Sequence, residues 1–530
     1  MKKIIMTAFV LAAVLPVAAQ DTYESARLLG SDLNGTARYV AMGGAMEALG
    51  ADISTMSTNP AGIGLFRHST ASLSFGLVSQ QDAVRFDGLG KTNMSFDQVG
   101  FVYSSRISRA SYVNVGFNYH KSRNFDQILS AANSLRGSSQ NGLSYYKDGL
   151  GSSARGGYYL DFNQQDELIG WESPTSDYRA QTFSQVDYLN ANVLLLNEWE
   201  TEPGKYDWDL GFNDASSYTF DRAHRGWIAD YDFNISGNHN DRFYWGITVG
   251  MKDVNYKGYS GYSEQLVDGQ GACGSVAYGD ERKIEGTGFD IKVGIIVRPV
   301  EESPFRFGLS VSTPTWYDLT TSNSTYMLND SKYGAWDDGQ SSEEYDFHYY
   351  TPWKFGLSIG HTVGTNLAIG AGYEYSDYSA SQNRIIDGYD YYDNAESSTD
   401  EMMKGNTESV MKGVHTLKAG LEYKPDPSWA LRLGYNYVST AYDKSGVRDM
   451  TLDSPGVMYA STTDYVNWQD THRVTCGVGY RSSGFSVDLA YQYNMTKGEF
   501  HPFQPYAGSN GMMEVDNKRH QLLLTLGYTF

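Results

Sequence analysis

The ten residues FYWGITVGMK, numbered 243–252, alternate strictly between two kinds of side chain. Large apolar residues occupy every second position: Phe243, Trp245, Ile247, Val249 and Met251. Most of the residues between them are small, polar or charged. Successive side chains of a β-strand point to opposite faces, so this stretch predicts a strand with one apolar and one polar face.

The same period of two continues along the chain from residue 69 to the end. Fourteen segments show it, and we expect each to form a strand: 69–79, 96–107, 111–122, 227–237, 242–255, 285–298, 305–317, 349–362, 365–377, 414–424, 429–440, 472–481, 484–495 and 518–530. Short links such as SRAS, GNHND and PVEES alternate with long polar linkers. An even number of strands, with short turns on one side and long loops on the other, is typical of a transmembrane barrel.

The expected fold class is therefore all-β, a fourteen-stranded antiparallel transmembrane β-barrel covering residues 69–530. Closure leaves no strand edge exposed. Aromatic residues recur near the strand ends on the apolar face, as the interfacial girdles of a lipid-facing surface do: Trp353, Tyr373, Tyr375, Trp429, Tyr435 and Tyr437. The apolar face is thus expected to point outward. The final strand ends on Phe530, which looks like the signal read by the barrel assembly machinery.

Composition sets the compartment and excludes several classes of protein. Two lysines, an apolar run and small residues before Gln20 form a secretory signal, assigned to residues 1–20. No later apolar run reaches the roughly 18 residues that a membrane helix needs. A net charge of −21 argues against nucleic acid as a partner. Cys273 and Cys476 are the two cysteines, and the sequence leaves open whether they pair.

The segment between the signal and the first strand, residues 21–68, has no alternating pattern. Residues 37–64, ARYVAMGGAMEALGADISTMSTNPAGIG, resemble the N-terminal hatch of the FadL family of outer-membrane transporters for long-chain fatty acids and other hydrophobic molecules. The resemblance rests on Gly43-Gly44-Ala45, Gly50-Ala51-Asp52, Ser54 and the turn Asn59-Pro60-Ala61-Gly62. Stretches such as GTGFDIKVGIIVRP and HTLKAGLEYKPDPSWALRLGYNYVSTAY look like later strands of the family.

The resemblance implies a monomeric barrel in the outer membrane of a Gram-negative cell, surrounded by outer-membrane lipid and lipopolysaccharide, with both termini periplasmic. It implies that the hatch plugs the barrel. The resemblance also implies that a hydrophobic substrate is caught at an outer patch, enters a dry pocket in the lumen and leaves sideways near the third strand. The expected function is passive uptake of long-chain fatty acids or similar lipids, without a cofactor. The alternative is a related barrel that acts as a shuttle or docking component of protein secretion. The cargo stays open among fatty acids, aromatic hydrocarbons, haem-like rings and other lipids.

Three groups of residues are candidates for this function. Gly43, Gly44, Asn59, Pro60, Ala61 and Gly62 either form the moving part of the hatch or only seat it. In the largest loop, 124–225, one helical face carries Val186, Leu189, Val193 and Leu196, which form either an outer groove or a helix packed on the rim. In the lumen, a carboxylate is received by Lys292, Lys354, Lys418 and Arg432, unless these pair with Asp290, Glu374, Glu422 and Asp488.

The sequence does not predict an enzyme. GLSIG, residues 356–360, matches a hydrolase motif, but Ser358 lies within a strand rather than at the strained turn that the motif requires. The acidic loops 335–346 and 387–401 either hold Ca²⁺ or are solvated, and neither has EF-hand spacing. We therefore expect no catalytic residue and no metal site.

Overall fold

The computed structural model describes residues 20–154, 159–162, 168–172, 183–203, 205–334, 336–391 and 395–530. The predicted signal lies outside the described residues, except for Gln20. Among the residues described, no helix has the length and apolar character needed to cross a membrane.

Antiparallel strands close into a barrel, because the first and last strands pair from Thr70 opposite Thr529 to Gln80 opposite Arg519. The strands are β1 (Thr70–Gln80), β2 (Thr92–Arg106), β3 (Tyr112–Asn124), β4 (Gln127–Ser134), β5 (Tyr159–Phe162), β6 (Leu168–Glu172), β7 (Leu196–Glu202), β8 (Lys205–Leu210), β9 (Asp214–His239), β10 (Phe243–Asp268), β11 (Gly271–Val297), β12 (Arg306–Ser312), β13 (Trp316–Ser331), β14 (Asp338–Tyr350), β15 (Lys354–Val363), β16 (Leu367–Asp377), β17 (Gln382–Tyr389), β18 (Ala395–Thr399), β19 (Gly413–Tyr423), β20 (Trp429–Val438), β21 (Tyr465–Ser482), β22 (Phe485–His501) and β23 (Met513–Thr529).

β5 with β6 and β7 with β8 form two separate hairpins, and all other strands belong to the barrel sheet. Five barrel strands are interrupted, so that β3/β4, β12/β13, β14/β15, β16/β17 and β18/β19 each count once. The predicted fourteen-stranded antiparallel barrel is confirmed. The helices are α1 (Thr22–Ser25), α2 (Ala37–Ala41), α3 (Gln140–Ala154), α4 (Gln185–Asn190), α5 (Glu401–Val410) and α6 (Pro455–Met458). Short 3-10 helices cover Ala26–Leu28, Ile53–Ser57, Pro60–Leu65 and Tyr378–Ala380, and a π-helical turn covers Ala191–Leu195.

The faces of the strands follow the sequence pattern. Along β10 the apolar Phe243, Ile247 and Met251 are exposed, whereas Gly246 and Thr248 are buried toward the interior. We call the band of exposed apolar side chains around the barrel the apolar belt. The short turns lie at one end of the barrel, the short-turn end, and the long loops lie at the other, the long-loop end.

Three strands run far past their predicted limits. β9, β10 and β11 contain 26, 26 and 27 residues. Beyond the apolar belt their outward positions carry Lys, Ser and Glu, so the apolar alternation ends although the hydrogen-bonded ladder continues. The predicted loop 124–225 is shorter for the same reason, since β4 and the start of β9 belong to the sheet.

Residues 20–66 fill the interior, and we keep the name hatch for them. Their backbone lies directly against glycines on the inner face of the barrel. A Cβ atom on Gly370 would lie 2.0 Å from the Ala45 carbonyl oxygen, and one on Gly434 would lie 2.2 Å from the Gly43 nitrogen. The inward-facing glycines therefore make room for the hatch main chain.

The hatch begins at the long-loop end. Thr22 shares a hydrogen bond of 2.7 Å with Thr407 of α5, and Gln20 lies beside Gly456 of α6. Phe530, in contrast, donates its N–H to Ser69 at the short-turn end. The expectation that residues 20–25 lie at the same end as the C-terminus is wrong. The reason is electrostatic: Asp21 and Glu24 are buried and need the guanidinium of Arg448 in the loop after β20.

Candidate functional site

A chamber of about 360 Å³ lies inside the barrel between hatch residues, barrel strands and the loops of the long-loop end. Its wall carries five acidic side chains and nine basic ones, whereas the whole chain has a net charge of −21. The basic residues are Arg27, Arg123, Arg222, Lys252, Lys292, Lys354, Lys418, Arg473 and Arg519. The aromatic part of the wall includes Tyr23, Phe125, Tyr317, Tyr442 and Tyr465. The chamber is thus locally basic and partly aromatic, and differs from the dry pocket that the family resemblance implied.

Two of the predicted lumenal cations already have carboxylate partners. The Lys292 ammonium lies 2.8 Å from Asp232 and 2.9 Å from Asp290. The Lys418 ammonium lies 2.7 Å from Glu47 of the hatch and 3.4 Å from Glu374. Both lysines are buried, so a ligand carboxylate would have to displace an existing partner.

The other two predicted cations differ from each other. Arg432 lies 2.7 Å from Glu422 and 2.6 Å from Asp488, and Glu422 also pairs with Arg38 of the hatch at 2.9 Å. Arg432 therefore helps to anchor the hatch and does not line the chamber. Lys354 lines the chamber, and no carboxylate of the described residues lies within 4.0 Å of its ammonium.

Three arginines that the sequence did not single out converge near Asp32 of the hatch. Arg123 donates to the Leu29 carbonyl at 2.6 Å, and Arg473 donates to Asn436 at 2.8 Å and lies 4.0 Å from Asp32. Arg519 donates to the backbone carbonyls of Asn124 and Asp126. Arg473 is 8% exposed, and the Nε groups of Arg473 and Arg519 have no hydrogen-bond partner among the residues that the structure describes. We call these three residues the arginine cluster.

The arginine cluster could not be read from spacing along the chain. Its members come from β3, β21 and β23, and they meet only because the barrel closes. Strict alternation along β3 would place Arg123 on the outward face with Val115 and Phe117, and only the β-bulge between Lys121 and Arg123 turns it inward, so no signal in the sequence marked this residue. Three guanidiniums line one side of the chamber, and the only carboxylate within 4.0 Å of them among the described residues is Asp32, at 4.0 Å from Arg473, so the group is suited to bind a further anion.

The barrel wall is open next to this cluster, between β2 and β3. Their ladder runs from Arg106 opposite Tyr112 to Gln98 opposite His120 and stops there. Within the described residues 92–124, β2 continues to Thr92 and β3 to Asn124 without pairing to each other. Met94, which is 85% exposed, and Phe96 stand on β2 beside this opening. The opening therefore has an apolar outer border.

The hatch covers the free edge of β3. The Asp32 N–H donates to the Ser122 carbonyl at 2.7 Å, and the Asn124 N–H donates to the Asp32 carboxylate at 2.9 Å. The Asn34 side chain donates to the Lys121 carbonyl at 3.0 Å. These bonds satisfy backbone groups that a neighbouring strand would otherwise pair. Asp32 thus contacts both the arginine cluster and the strand edge.

The hatch residues that the sequence predicted lie in tight contacts. Gly43 and Gly44 have φ of +62° and +79°, which favours glycine. The Asn59 side chain accepts the Ala61 N–H at 3.1 Å and caps the 3-10 helix Pro60–Leu65. A Cβ on Gly62 would lie 2.5 Å from the Thr55 hydroxyl. These residues seat the hatch, and their role in gating stays a prediction.

The predicted outer groove residues are buried. Val186, Leu189 and Val193 pack in one apolar cluster with Tyr218 and Phe220 of β9, and Leu196 is buried as well. α4 and the π-helical turn therefore lie against the inner wall at the long-loop end, and these four residues form no open groove. The helical spacing predicted their common face, but the sequence could not show what covers it.

Glu264, a buried residue of β10 beyond the apolar belt, holds the loop segment that begins with α3 against the inner wall. It accepts the N–H of Gln140, at the start of α3, and the Tyr262 hydroxyl, each at 2.7 Å. Burial raises the pKa of Glu264 to about 7. The docked loop therefore favours the protonated carboxyl.

This pKa gives a pH prediction. Because docking raises the pKa of Glu264, protonation of this carboxyl stabilises the docked loop. The stabilisation is complete below pH 4.5, the usual pKa of a glutamate, and is lost as the pH rises through about 7. We expect the docking of α3 to weaken by roughly 3 kcal/mol between pH 4.5 and pH 8. Hydrogen exchange of residues 140–147, corrected for intrinsic rates, measures this. Glu264→Gln should remove the pH dependence, and an unchanged dependence in that variant would contradict the assignment.

One further cluster has the composition of a metal site. His120, Asp230 and Asp232 lie together, and among the described residues they alone meet the geometry for a shared ion. Lys252 pairs with Asp230 and Lys292 with Asp232, so both carboxylates already have ammonium partners. Cys273 and Cys476 are both free.

Among known proteins, the chain is similar to solved structures but not to any family model or curated sequence. The structure is similar to the toluene transporter TbuX of Ralstonia pickettii, with 13% identity, a TM-score of 0.47, and coverage of 94% of this chain and 99% of that one. It is similar to the CymD monoaromatic hydrocarbon channel, with 11% identity, a TM-score of 0.48, and coverage of 95% and 99%.

A third similar structure is a FadL homologue of Pseudomonas aeruginosa, with 12% identity, a TM-score of 0.45, and coverage of 98% of this chain and 99% of that one. At these identities and TM-scores the similarities carry no argument, and the function is argued below from the residues of this chain. By its own strand pairing the chain is a closed fourteen-stranded barrel, and the solved structures to which it is similar include a homologue of FadL, the family whose hatch its residues 37–64 resemble.

Proposed function

We propose that this protein takes up hydrophobic molecules that carry an acidic group, such as long-chain fatty acids, across the outer membrane of a Gram-negative cell. The observation that carries the proposal is the opening between β2 and β3, which hatch residues 32–34 cover from inside. The short-turn end then faces the periplasm and the apolar belt faces lipid. Release is sideways, through this opening into the membrane.

The arginine cluster supplies the site for the acidic group. A carboxylate accepts charge-assisted hydrogen bonds from guanidinium groups, and the buried Nε groups of Arg473 and Arg519 are free donors. The apolar part of the cargo gains about 0.8 kcal/mol for each methylene that leaves water. The aromatic wall, with Tyr442 and Tyr465, offers such a surface.

Asp32 couples capture to release in this proposal. A cargo carboxylate in the arginine cluster competes with the Asp32 carboxylate for the same cations. Asp32 also holds the free edge of β3 through Ser122 and Asn124. Displacement of Asp32 therefore uncovers the β3 edge at the moment when the cargo lies beside it.

A crosslink across the opening tests the proposal. The Lys121 ammonium lies 3.1 Å from the Ser95 hydroxyl, so these side chains already meet across the opening. We expect Ser95→Cys with Lys121→Cys, in a Cys476→Ser background, to lower uptake of radiolabelled palmitate at least tenfold once a bis-methanethiosulfonate reagent, whose spacer replaces the length of the lysine side chain, bridges the two thiols. Reduction should restore it. The measurement is initial uptake by intact cells, with crosslinking verified by mass spectrometry.

The matched control is Ser105→Cys with Val113→Cys. These residues face each other where β2 and β3 are already paired, so a crosslink there should leave uptake unchanged. Uptake at the wild-type rate through a fully crosslinked opening would show that the cargo leaves by another route.

A further inference from the structure

Three basic residues stand side by side on the outer surface of the barrel. Lys257 of β10 lies opposite Arg225 of β9 on one side and Lys283 of β11 on the other. Like charges directly opposite each other destabilise a sheet. Arg225 pairs with Asp87 at 2.8 Å and Lys283 with Glu285 at 2.6 Å. Lys257, between them, has no carboxylate within 4.0 Å among the described residues.

These residues line a groove of about 630 Å³ in the outer wall. Its other side carries the hydroxyl groups of Ser322, Ser324 and Ser342, and the carboxylates of Glu281 and Glu344. Hydrogen-bond donors and acceptors thus alternate across β10, β11, β13 and β14. A ligand with many hydroxyl groups would satisfy both kinds.

Tyr259 lines the groove and belongs to an aromatic group that lies beside it. The hydroxyls of Tyr259 and Tyr326 are 2.8 Å apart, and the Phe86 ring stacks on Tyr259 at 5.6 Å. The Tyr326 ring covers Gly279, and nothing lies within 4 Å of the position where Gly261 would carry a Cβ. The Tyr259 ring therefore gives the groove a partly apolar surface on this side.

The groove lies outside the apolar belt. On β10 the last exposed apolar side chain of the belt is Met251, 54% exposed, and the outward positions that follow it are Asp253, Asn255 and Lys257. In the membrane orientation proposed above, this part of the wall stands beyond the acyl chains, among the sugars of the outer leaflet.

We propose that this groove binds a phosphorylated saccharide, the sugar portion of an outer-leaflet glycolipid next to the barrel. Lys257 receives the phosphate, which offsets the repulsion along the basic row. The sugar hydroxyls donate to Glu281 and to the oxygen of Ser322, whose own proton goes to Glu344 at 2.7 Å. The face of a sugar ring lies on Tyr259.

Calorimetric titration of the purified full chain tests this. The probes are the phosphorylated core oligosaccharide of lipopolysaccharide and the same oligosaccharide after removal of its phosphates. We expect Lys257→Gln to weaken binding of the first probe about fivefold to tenfold. The dephosphorylated probe should bind wild type and Lys257→Gln equally weakly.

The matched control is Lys332→Gln, an exposed lysine of another surface that pairs with Asp268. It should bind both probes like wild type. Equal binding of the phosphorylated probe by Lys257→Gln and wild type would overturn the proposal, as would equal binding of the two probes by wild type. A complex that forms only with the intact glycolipid would overturn it too, since the lipid would then be recognised by the apolar belt. None of these outcomes bears on uptake through the chamber.

Discussion

Replacing Arg448 with methionine is expected to detach the first part of the hatch. Arg448 is 2% exposed, and its guanidinium lies 2.5 Å from Asp21 and 3.1 Å from Glu24. Methionine fills much of the volume, but Glu24 then keeps only Arg282 as a cationic partner and Asp21 keeps no ion pair among the described residues. Removing one partner of a buried ion pair costs about 3–5 kcal/mol.

The measurement is local, because the barrel sheet does not depend on this pair. Hydrogen exchange of residues 20–30 should become faster by the factor that corresponds to this loss, while β20 to β23 keep their protection. Lys205→Met is the control, since the Lys205–Glu202 pair is exposed and its loss should cost less than about 1 kcal/mol. Unchanged protection of residues 20–30 in the Arg448 variant would show that other contacts hold this end of the hatch.

The second large effect is expected at Gly370. A Cβ there would lie 2.0 Å from the Ala45 carbonyl oxygen, which is backbone and has no rotamer to change. Gly370→Ala should therefore push residues 42–49 off the wall, at a cost of about 1–3 kcal/mol from overpacking. Loss of this seat should open the barrel to solutes that the hatch normally blocks.

Entry of a large hydrophilic antibiotic into cells measures this loss, together with hydrogen exchange of residues 41–50. Gly261→Ala is the matched control, because no atom lies within 4 Å of the added methyl group. Equal antibiotic sensitivity of the two variants would mean that the hatch tolerates displacement at Ala45 without opening.

The barrel was predictable because lipid outside and a small-residue interior impose opposite chemistry on alternate positions. FYWGITVGMK shows this alternation without any knowledge of its neighbours. The pattern ends at Met251 because the strand then leaves the apolar belt. The part of β10 after Met251, toward the long-loop end, could therefore not be predicted as a strand from alternating apolar residues. The close contact of the hatch backbone with Gly370 and Gly434 could not be predicted either, since a glycine in a strand does not show which group packs against it.

The candidate site was only partly predictable. Lys292, Lys418 and Arg432 were expected either to receive a carboxylate or to pair with acids across the strands, and the structure pairs all three. The pairing with Glu47 and the contact of Arg38 with Glu422 needed the position of the hatch. The arginine cluster needed the closed barrel, because Arg123, Arg473 and Arg519 are far apart in sequence.

The double contact of Asp32 has a consequence for selectivity. In the uptake mechanism proposed above, an uncharged hydrocarbon cannot replace Asp32 at the guanidiniums, so the β3 edge would stay covered however well the hydrocarbon fits the chamber. An ionised molecule of quite different shape can make that exchange. Discrimination between acids and their neutral esters then arises from ion exchange at one residue and does not require a cavity moulded to the cargo.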